Sequence, residues 1–366
     1  MGNFYEIIQN LLSTSTINIA IVLITSFAIS FFSIPMILNF TRSKNIFDKP
    51  NGRTSHYENT PTLGGVAIFA GITISLLLFC NATSFNGLQY IVASLMLVFF
   101  IGLKDDIYTI SLTKKLGGQL LVIFILIFLG DFRFTNLGGF LGIYEISYIT
   151  SVAISAFVFI VLINCINLID GVDGLASGLS ILIAFIFAIF FYSHKNTAFT
   201  LVSTSLLGAL IPFFIYNVFG KRNKLFMGDT GALIIGVISV VLVVEFNEIS
   251  ASNTSGLIAI TAAPAMSIAL FFIPLYDTLQ VFTLRLFKRK SPFCPDKNHL
   301  HHRLLRLGLS HVQTSIMLIA INLFVFVLSY FLQFFGVLAL SFLILVIGLA
   351  ISSILYFLLL QKQKQA

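Results

Sequence analysis

Long apolar runs decide what this chain can become. YITSVAISAFVFIVLI and LSILIAFIFAIFF belong to stretches of about 17 to 25 residues, the length that crosses a hydrocarbon core about 30 Å thick. Inside hydrocarbon a segment must satisfy its own backbone N–H and C=O groups, which leaves helices and closed barrels. Runs that are apolar on every side are helices rather than barrel strands. We read eleven spans, roughly 17–40, 63–80, 88–103, 113–130, 148–168, 175–193, 199–219, 231–246, 256–287, 313–333 and 336–360. The chain is therefore expected to be an all-α polytopic membrane protein, a single domain over 1–366, because no segment between the spans is long enough to bury a core of its own. Composition agrees: 58% of residues are hydrophobic and 10% charged, with a mean hydropathy of +1.01, whereas soluble domains carry about 25% charged residues.

Eleven spans put the termini on opposite sides. Of the 21 Lys and Arg, 19 fall in one set of alternate loops and the C-terminal tail, leaving Arg133 and Lys195 opposite. The richer side is the expected cytoplasmic one. The net charge of +7 then reads as anchoring to anionic membrane lipids, and no nucleic-acid partner is expected. Cys80, Cys165 and Cys294 are too scattered for a disulfide framework. The N-terminus lacks the basic region of a cleaved signal, and MGNFYE lacks the Ser or Thr of a myristoylation signal. On the outer side, β-prone runs around Leu137-Gly138-Gly139 predict a small extracytoplasmic β-hairpin. The span at 256–287 would measure about 48 Å as one helix, so Pro264 and Pro274 are expected to break it, with its C-terminal part emerging into the cytoplasm.

Acidic residues follow the same asymmetry. Every Asp except Asp131 lies in or beside the basic side, and five of them sit where spans meet short loops, in GLKDDIY, NLIDGVDGL and FMGDTG. Asn164, Asn167 and Asp170 recur every three residues and so share one side of a helix end. Singly, each Asp could cap a helix. Converging, two carboxylates about 4 Å apart repel by about 4 kcal/mol at an effective dielectric near 20, and a cation or a shared proton must compensate. Oxygen donors favour Mg²⁺, or Mn²⁺, over Zn²⁺, and Mg²⁺ completes its shell with water and substrate phosphate. The loop FCPDKNHLHHRLLRLGLSH matches no common zinc spacing. Its imidazoles and Arg303 suit a diphosphate, with a basic loop resting on headgroups as the plainer alternative.

GLKDDIY, NCINLIDGVDGLASG, KLFMGDTG and NHLHHRL, in this order and on one membrane face, resemble the polyprenyl-phosphate N-acetylhexosamine-1-phosphate transferases. The resemblance runs from NGRTSHYENTPTLGG to the histidine loop. The HLHHRL form is similar to the bacterial undecaprenyl-phosphate N-acetylglucosamine-1-phosphate transferases rather than to the phospho-MurNAc-pentapeptide translocases, which tend to carry three consecutive histidines. The resemblance implies transfer of a sugar 1-phosphate from a UDP-sugar to undecaprenyl phosphate, with release of UMP and with Mg²⁺ as cofactor, at the cytoplasmic face of the bacterial cytoplasmic (inner) membrane. It implies Asp229 as metal ligand, Asp105 and Asp106 at the lipid phosphate with a base role for either left open, and Lys115 at a phosphate. It places Asn164, Asn167, Asp170 and Asp173 around the nucleotide sugar, Phe226 against uracil, and His299, His301, His302 and Arg303 at the diphosphate. Tyr57-Glu58-Asn59 lacks the lysines some relatives carry there.

A transporter is the competing class, but transporters place polar residues near the bilayer midplane around broken helices. Here only Asp277, three residues from Pro274, suggests depth, and it could instead brace the break. The identity of the sugar, the polymer served and the oligomeric state, a homodimer included, are not written in these motifs.

Overall fold

The computed structural model describes residues 15–48, 60–81, 85–252, 258–289 and 298–365. Lys49, Arg53, Tyr57-Glu58-Asn59, Cys294, Asp296 and Lys297 lie outside these residues, as does the start of the expected span at 256. The helices are α1 Ser15–Ser43, α2 Gly64–Phe79, α3 Leu88–Ile107, α4 Leu112–Phe124, α5 Tyr148–Ile169, α6 Leu175–Ser193, α7 Thr197–Phe219, α8 Gly228–Ser252, α9 Ala263–Leu270, α10 Phe272–Phe287, α11 Leu300–Leu307, α12 His311–Leu332 and α13 Gly336–Gln365. α4 continues through a π-turn at Ile125–Leu129. α8 is sheathed by its neighbours: its residues from Thr230 to Val244 are buried without interruption, while α1, α12 and α13 turn many large apolar side chains outward.

Each apolar run read from the sequence is, among the described residues, helical over most of its length, yet the span count differs from eleven. Among the described residues, seven helices are long and apolar enough to cross a membrane, or eight with α9 and α10 taken as one broken span. α2 has only 16 residues, and α3 ends in the charged turn of Lys104, Asp105 and Asp106. α12 and α13 together form one apolar stretch of 54 residues, His311–Lys364. That stretch folds back on itself: Lys362 near its end donates to the Arg306 carbonyl just before its start, at 3.1 Å.

The hairpin is present, with its turn displaced from the expected place. β3 Asn136–Phe140 pairs antiparallel with β4 Ile143–Glu145, Phe140 facing Ile143. Leu137-Gly138-Gly139 lies within β3, and the turn is made by Leu141 and Gly142, both left-handed at φ 53° and 76°, as a two-residue hairpin requires. Gly138 and Gly139, also at positive φ, produce an irregular register in the strand instead. A second small ladder, β1 Phe47–Asp48 with β2 Thr60–Pro61, was not anticipated.

The broken span is bent by 80° between α9 and α10. Neither proline stands at the bend. Pro264 occupies the first turn of α9, where a missing N–H costs nothing, and the bend falls at Phe271 (φ −102°, ψ 26°), three residues before Pro274. The backbone groups freed there are met by one buried side chain of α12. Asn322 Nδ2 donates to the Leu270 carbonyl at 2.9 Å, and its Oδ1 accepts from Ile273 N at 3.0 Å. In a bilayer a broken helix is tolerated only with such replacement partners.

Replacing Asn322 by Leu keeps the volume but strands both groups. At about 1–3 kcal/mol for each buried unsatisfied group, we expect thermal unfolding in detergent to shift down clearly in Asn322→Leu, and an unshifted transition would mean the bend holds without this bridge.

Candidate functional site

The site begins at the N-terminus of α8, where free N–H groups point toward the charged end of α3. Asp106 takes them: its Oδ1 accepts from Asp229 N at 2.6 Å, and its Oδ2 accepts from Thr230 N at 3.2 Å and Thr230 Oγ1 at 2.5 Å. Asp106 is thus an N-cap supplied from another helix. The approach needs glycine. A Cβ on Gly228, which sits at φ 73°, would lie 2.6 Å from Asp106 Oδ2, and one on Gly102 would lie 2.4 Å from Thr230 Cα. On the other flank, Gly64 N and Gly65 N donate to the Phe226 and Met227 carbonyls, and Phe226 N donates to the Pro61 carbonyl. The segment after the first loop is therefore stitched to FMGD.

This arrangement presents Asp229 on the first turn of α8, with its side chain 32% exposed. Its Oδ1 accepts from Lys115 Nζ and from Asn167 Nδ2, both at 2.5 Å. Lys115 also reaches Asp105 Oδ2 at 3.1 Å, while Asp105 Oδ1 accepts from Ile110 N at 2.8 Å and so closes the α3–α4 turn. Lys115, expected at a phosphate, is here the cation between two carboxylates. Asn164 lies one turn above Asn167 and exchanges hydrogen bonds with Gln119, at 3.0 and 3.4 Å. Gln119 was missed in the sequence, although it stands one helical turn after Lys115 on the same face.

Asp170 ends α5 and Asp173 follows in the turn. Burial, then the charges of Asp229, Asp106 and Asp173, push the Asp170 carboxyl up to about 7. Among the described residues, no side chain donates to it. Asp173 Oδ2 accepts from Lys224 Nζ at 2.6 Å and lies 3.1 Å from His311 Nδ1, and its carbonyl accepts from Ser315 Oγ. Asn217 of α7 joins this turn to the next loop, accepting from Gly174 N at 2.7 Å and donating to the Leu225 carbonyl at 2.9 Å. Phe226 is half-buried, with Lys224 Nζ 5.4 Å from its ring centre. Ser315 and Asn217 carried no motif signal, since each acts through partners far away in sequence, while His311 closes the histidine loop but was given no partner.

The histidine helix α11 closes the cluster. His299, His301 and Arg303 are buried and His302 is half-buried. The rings of His299 and His301 stack with centres 5.4 Å apart, and His301 lies 4.4 Å from His302. A Cβ on Gly171 would meet His301 Nε2 at 2.8 Å, so the histidines pack directly on the turn between Asp170 and Asp173. Arg303, expected at a diphosphate, turns inward: its Nε donates to the Asn298 carbonyl at 2.9 Å, and its guanidinium lies 2.7 Å from the Gln280 amide, whose oxygen its partners orient toward Arg303. Asp277 does not brace the bend, which is Asn322's work. It holds His299 instead, Oδ2 to Nδ1 at 2.9 Å, and accepts from Leu300 N at 2.7 Å.

Among the described residues, no three His, Cys, Asp or Glu side chains are grouped as a ready metal cage. The donor set nevertheless suits an ion that needs few protein ligands. Asp229 is accessible, and the donor-free Asp170 carboxylate sits among three like charges that only a proton or a cation can offset. Mg²⁺, which takes one or two carboxylates and substrate oxygens, is compatible with that set.

Residues 88–247 match the family model described as glycosyl transferase family 4. The chain is 28% identical over 318 residues to the undecaprenyl-phosphate alpha-N-acetylglucosaminyl 1-phosphate transferase of Escherichia coli (strain K12), covering 85% of this chain and 81% of that protein. It is 28% identical over 285 residues to the protein of the same description from Yersinia pestis, covering 75% and 73%. With the decaprenyl-phosphate N-acetylglucosaminephosphotransferase of Mycolicibacterium smegmatis it shares 27% identity over 283 residues, covering 72% and 69%.

Two outcomes follow from this geometry. Asp106→Ala is expected to lower stability by about 1–2 kcal/mol, the usual worth of an N-cap, as read from denaturation in detergent; an unchanged transition would detach Asp106 from the cap role. Burial pushes the His301 imidazole down to about 3, against the pull of Asp277, so the folded protein keeps it neutral while the unfolded chain protonates near the usual pKa of about 6.5. The stability this contributes is full above about 6.5 and is lost as pH falls toward 3. Melting temperature should therefore drop from pH 7 to pH 5, with a shallower slope in His301→Gln.

Proposed function

We propose that this chain, whose residues 88–247 match the model described as glycosyl transferase family 4, is a polyprenyl-phosphate sugar-1-phosphate transferase that transfers N-acetylglucosamine 1-phosphate from UDP-N-acetylglucosamine to undecaprenyl phosphate and releases UMP. The choice of sugar and lipid rests on the relatives, at 28% identity. The observation that carries the reading is the meeting of Lys115, Asp105, Asn167 and Asp229 at the N-terminus of α8, with Asp170 beside them. The Lys115 ammonium favours phosphate oxygens, while the acids demand a counter-charge.

In this reading, an oxygen of the lipid phosphate attacks the sugar-bearing phosphorus, that phosphorus–oxygen bond forms, and the bond to the UMP oxygen breaks, with UMP leaving as the anion. Lys115 releases part of its hold on Asp105 and Asp229 to meet incoming phosphate. Asp106, with both oxygens committed to α8, fixes the position of Asp229 and takes no proton. Asp105 is then the acid of the pair that faces the lipid phosphate beside Lys115. Asn167 orients Asp229, and Gln119 orients Asn164 on the same helix face. The Asp170–Asp173 turn and the histidines packed on Gly171 form the nucleotide side. Asp229 and Asp170 would hold Mg²⁺, which when bound would neutralise charge on the transferring phosphoryl group; Mn²⁺ shares the same donor preference.

We place the reaction at the cytoplasmic face of the bacterial cytoplasmic membrane, where a long-chain lipid keeps its phosphate within reach of a soluble nucleotide sugar. The basic loops that surround the site support that orientation.

Purified protein in detergent with UDP-N-acetylglucosamine and undecaprenyl phosphate should release UMP only when Mg²⁺ or Mn²⁺ is present. Silence with every UDP-sugar tested, UDP-MurNAc-pentapeptide included, would overturn the reading. Asp229→Asn should lower the rate by about 100-fold or more, the scale of losing one transition-state charge contact, while its melting curve stays near that of the parent. Near-normal turnover would remove Asp229 from the chemistry.

A further inference from the structure

Asp277 belongs to neither the acid cluster around Asp229 nor the four sequence motifs, and it is 1% exposed. It stands on α10, on the far side of the 80° bend, and both its oxygens are committed to the start of the histidine helix. One accepts from Leu300 N at 2.7 Å and the other meets His299 Nδ1 at 2.9 Å. An ionised carboxylate can only accept, which puts the proton of His299 on Nδ1. Among the described residues, no protein group hydrogen-bonds His299 Nε2. The ring itself is clamped between the carboxylate and the stacked ring of His301, whose Nε2 touches the Asp170–Asp173 turn at Gly171.

We propose that Asp277 is a positioning residue for the nucleotide-sugar side of the site. It fixes His299 by Nδ1 and reserves Nε2 for a phosphate oxygen, the proton of that hydrogen bond arriving with the phosphate. The inference deepens the proposed transferase reading and rests on it for the identity of the ligand. The physical logic is that of any carboxylate–imidazole pair: a hydrogen bond on one ring nitrogen decides what the other can do. The same carboxylate caps α11, so a single side chain on the broken span sets both the helix and the ring.

The pair is testable by two measurements on the full-length protein in detergent. In protein carrying ¹⁵N-labelled histidine, the His299 signal, assigned by its loss in His299→Ala, should report a protonated Nδ1, and Asp277→Asn should change that protonation pattern. An Nε2–H neutral tautomer in the parent protein would overturn the proposal, and this arm stands even where Asp277→Asn does not fold. In the second, UMP release is measured across a double-mutant cycle. Asp277→Asn should lower kcat/KM for the UDP-sugar by about tenfold or more, and in the His299→Ala background it should cost almost nothing further. An equal loss in both backgrounds, or unchanged kinetics, would reduce Asp277 to a structural support. Failure of the parent to release UMP from any UDP-sugar would sink the transferase reading, and the tautomer measurement would still decide the pair.

Discussion

The carboxylate of Asp106 on the first N–H groups of α8 is the contact from which the rest of the site takes its position. A helix that starts inside a protein, against a bilayer, leaves several backbone donors with no water to receive them. Asp106 supplies the missing acceptor from α3, and doing so draws the charged end of that helix onto the start of α8. Asp229 follows in the same turn, so the metal candidate and its immediate surroundings are placed by a capping interaction. Glycines at 65, 102 and 228 permit the close approach, and each would clash if it bore a side chain.

The same device recurs. Asn322 receives and donates at the bend between α9 and α10, Asn217 ties the loop before α6 to the loop before α8, and Asp277 caps α11. In each case a polar side chain from one helix satisfies the backbone of another element. Elements that could slide past each other on apolar surfaces alone are thereby locked in register. Polar residues are costly within an apolar chain, and here their hydrogen bonds are what assemble the reaction face.

Charge is distributed to leave the site tense at one point. Lys115 neutralises Asp105 and Asp229, and Lys224 and His311 serve Asp173. Asp170 is left among them without a donor in the described residues, and burial together with the charges of Asp229, Asp106 and Asp173 pushes its carboxyl up. In the proposed reading, a divalent cation and phosphate would enter such a site together, since each offsets the charge the other brings.

The sequence by itself determined the membrane class, the positions of the apolar helices, the small hairpin and the crowding of Asp, Asn and His in four motifs. These are legible because hydrocarbon imposes length and polarity on contiguous residues. The resemblance read from four motifs also named the chemistry that the family match supports. Only the tertiary structure decided what each polar side chain does. It set Asp106 as a cap beside the more open Asp229, turned Arg303 inward to Gln280, moved the hairpin turn to Leu141-Gly142, and brought in Gln119 and Asn322. Those assignments depend on partners tens to more than a hundred residues away, and hydrogen-bond pairing at such separations leaves no periodic trace along the chain.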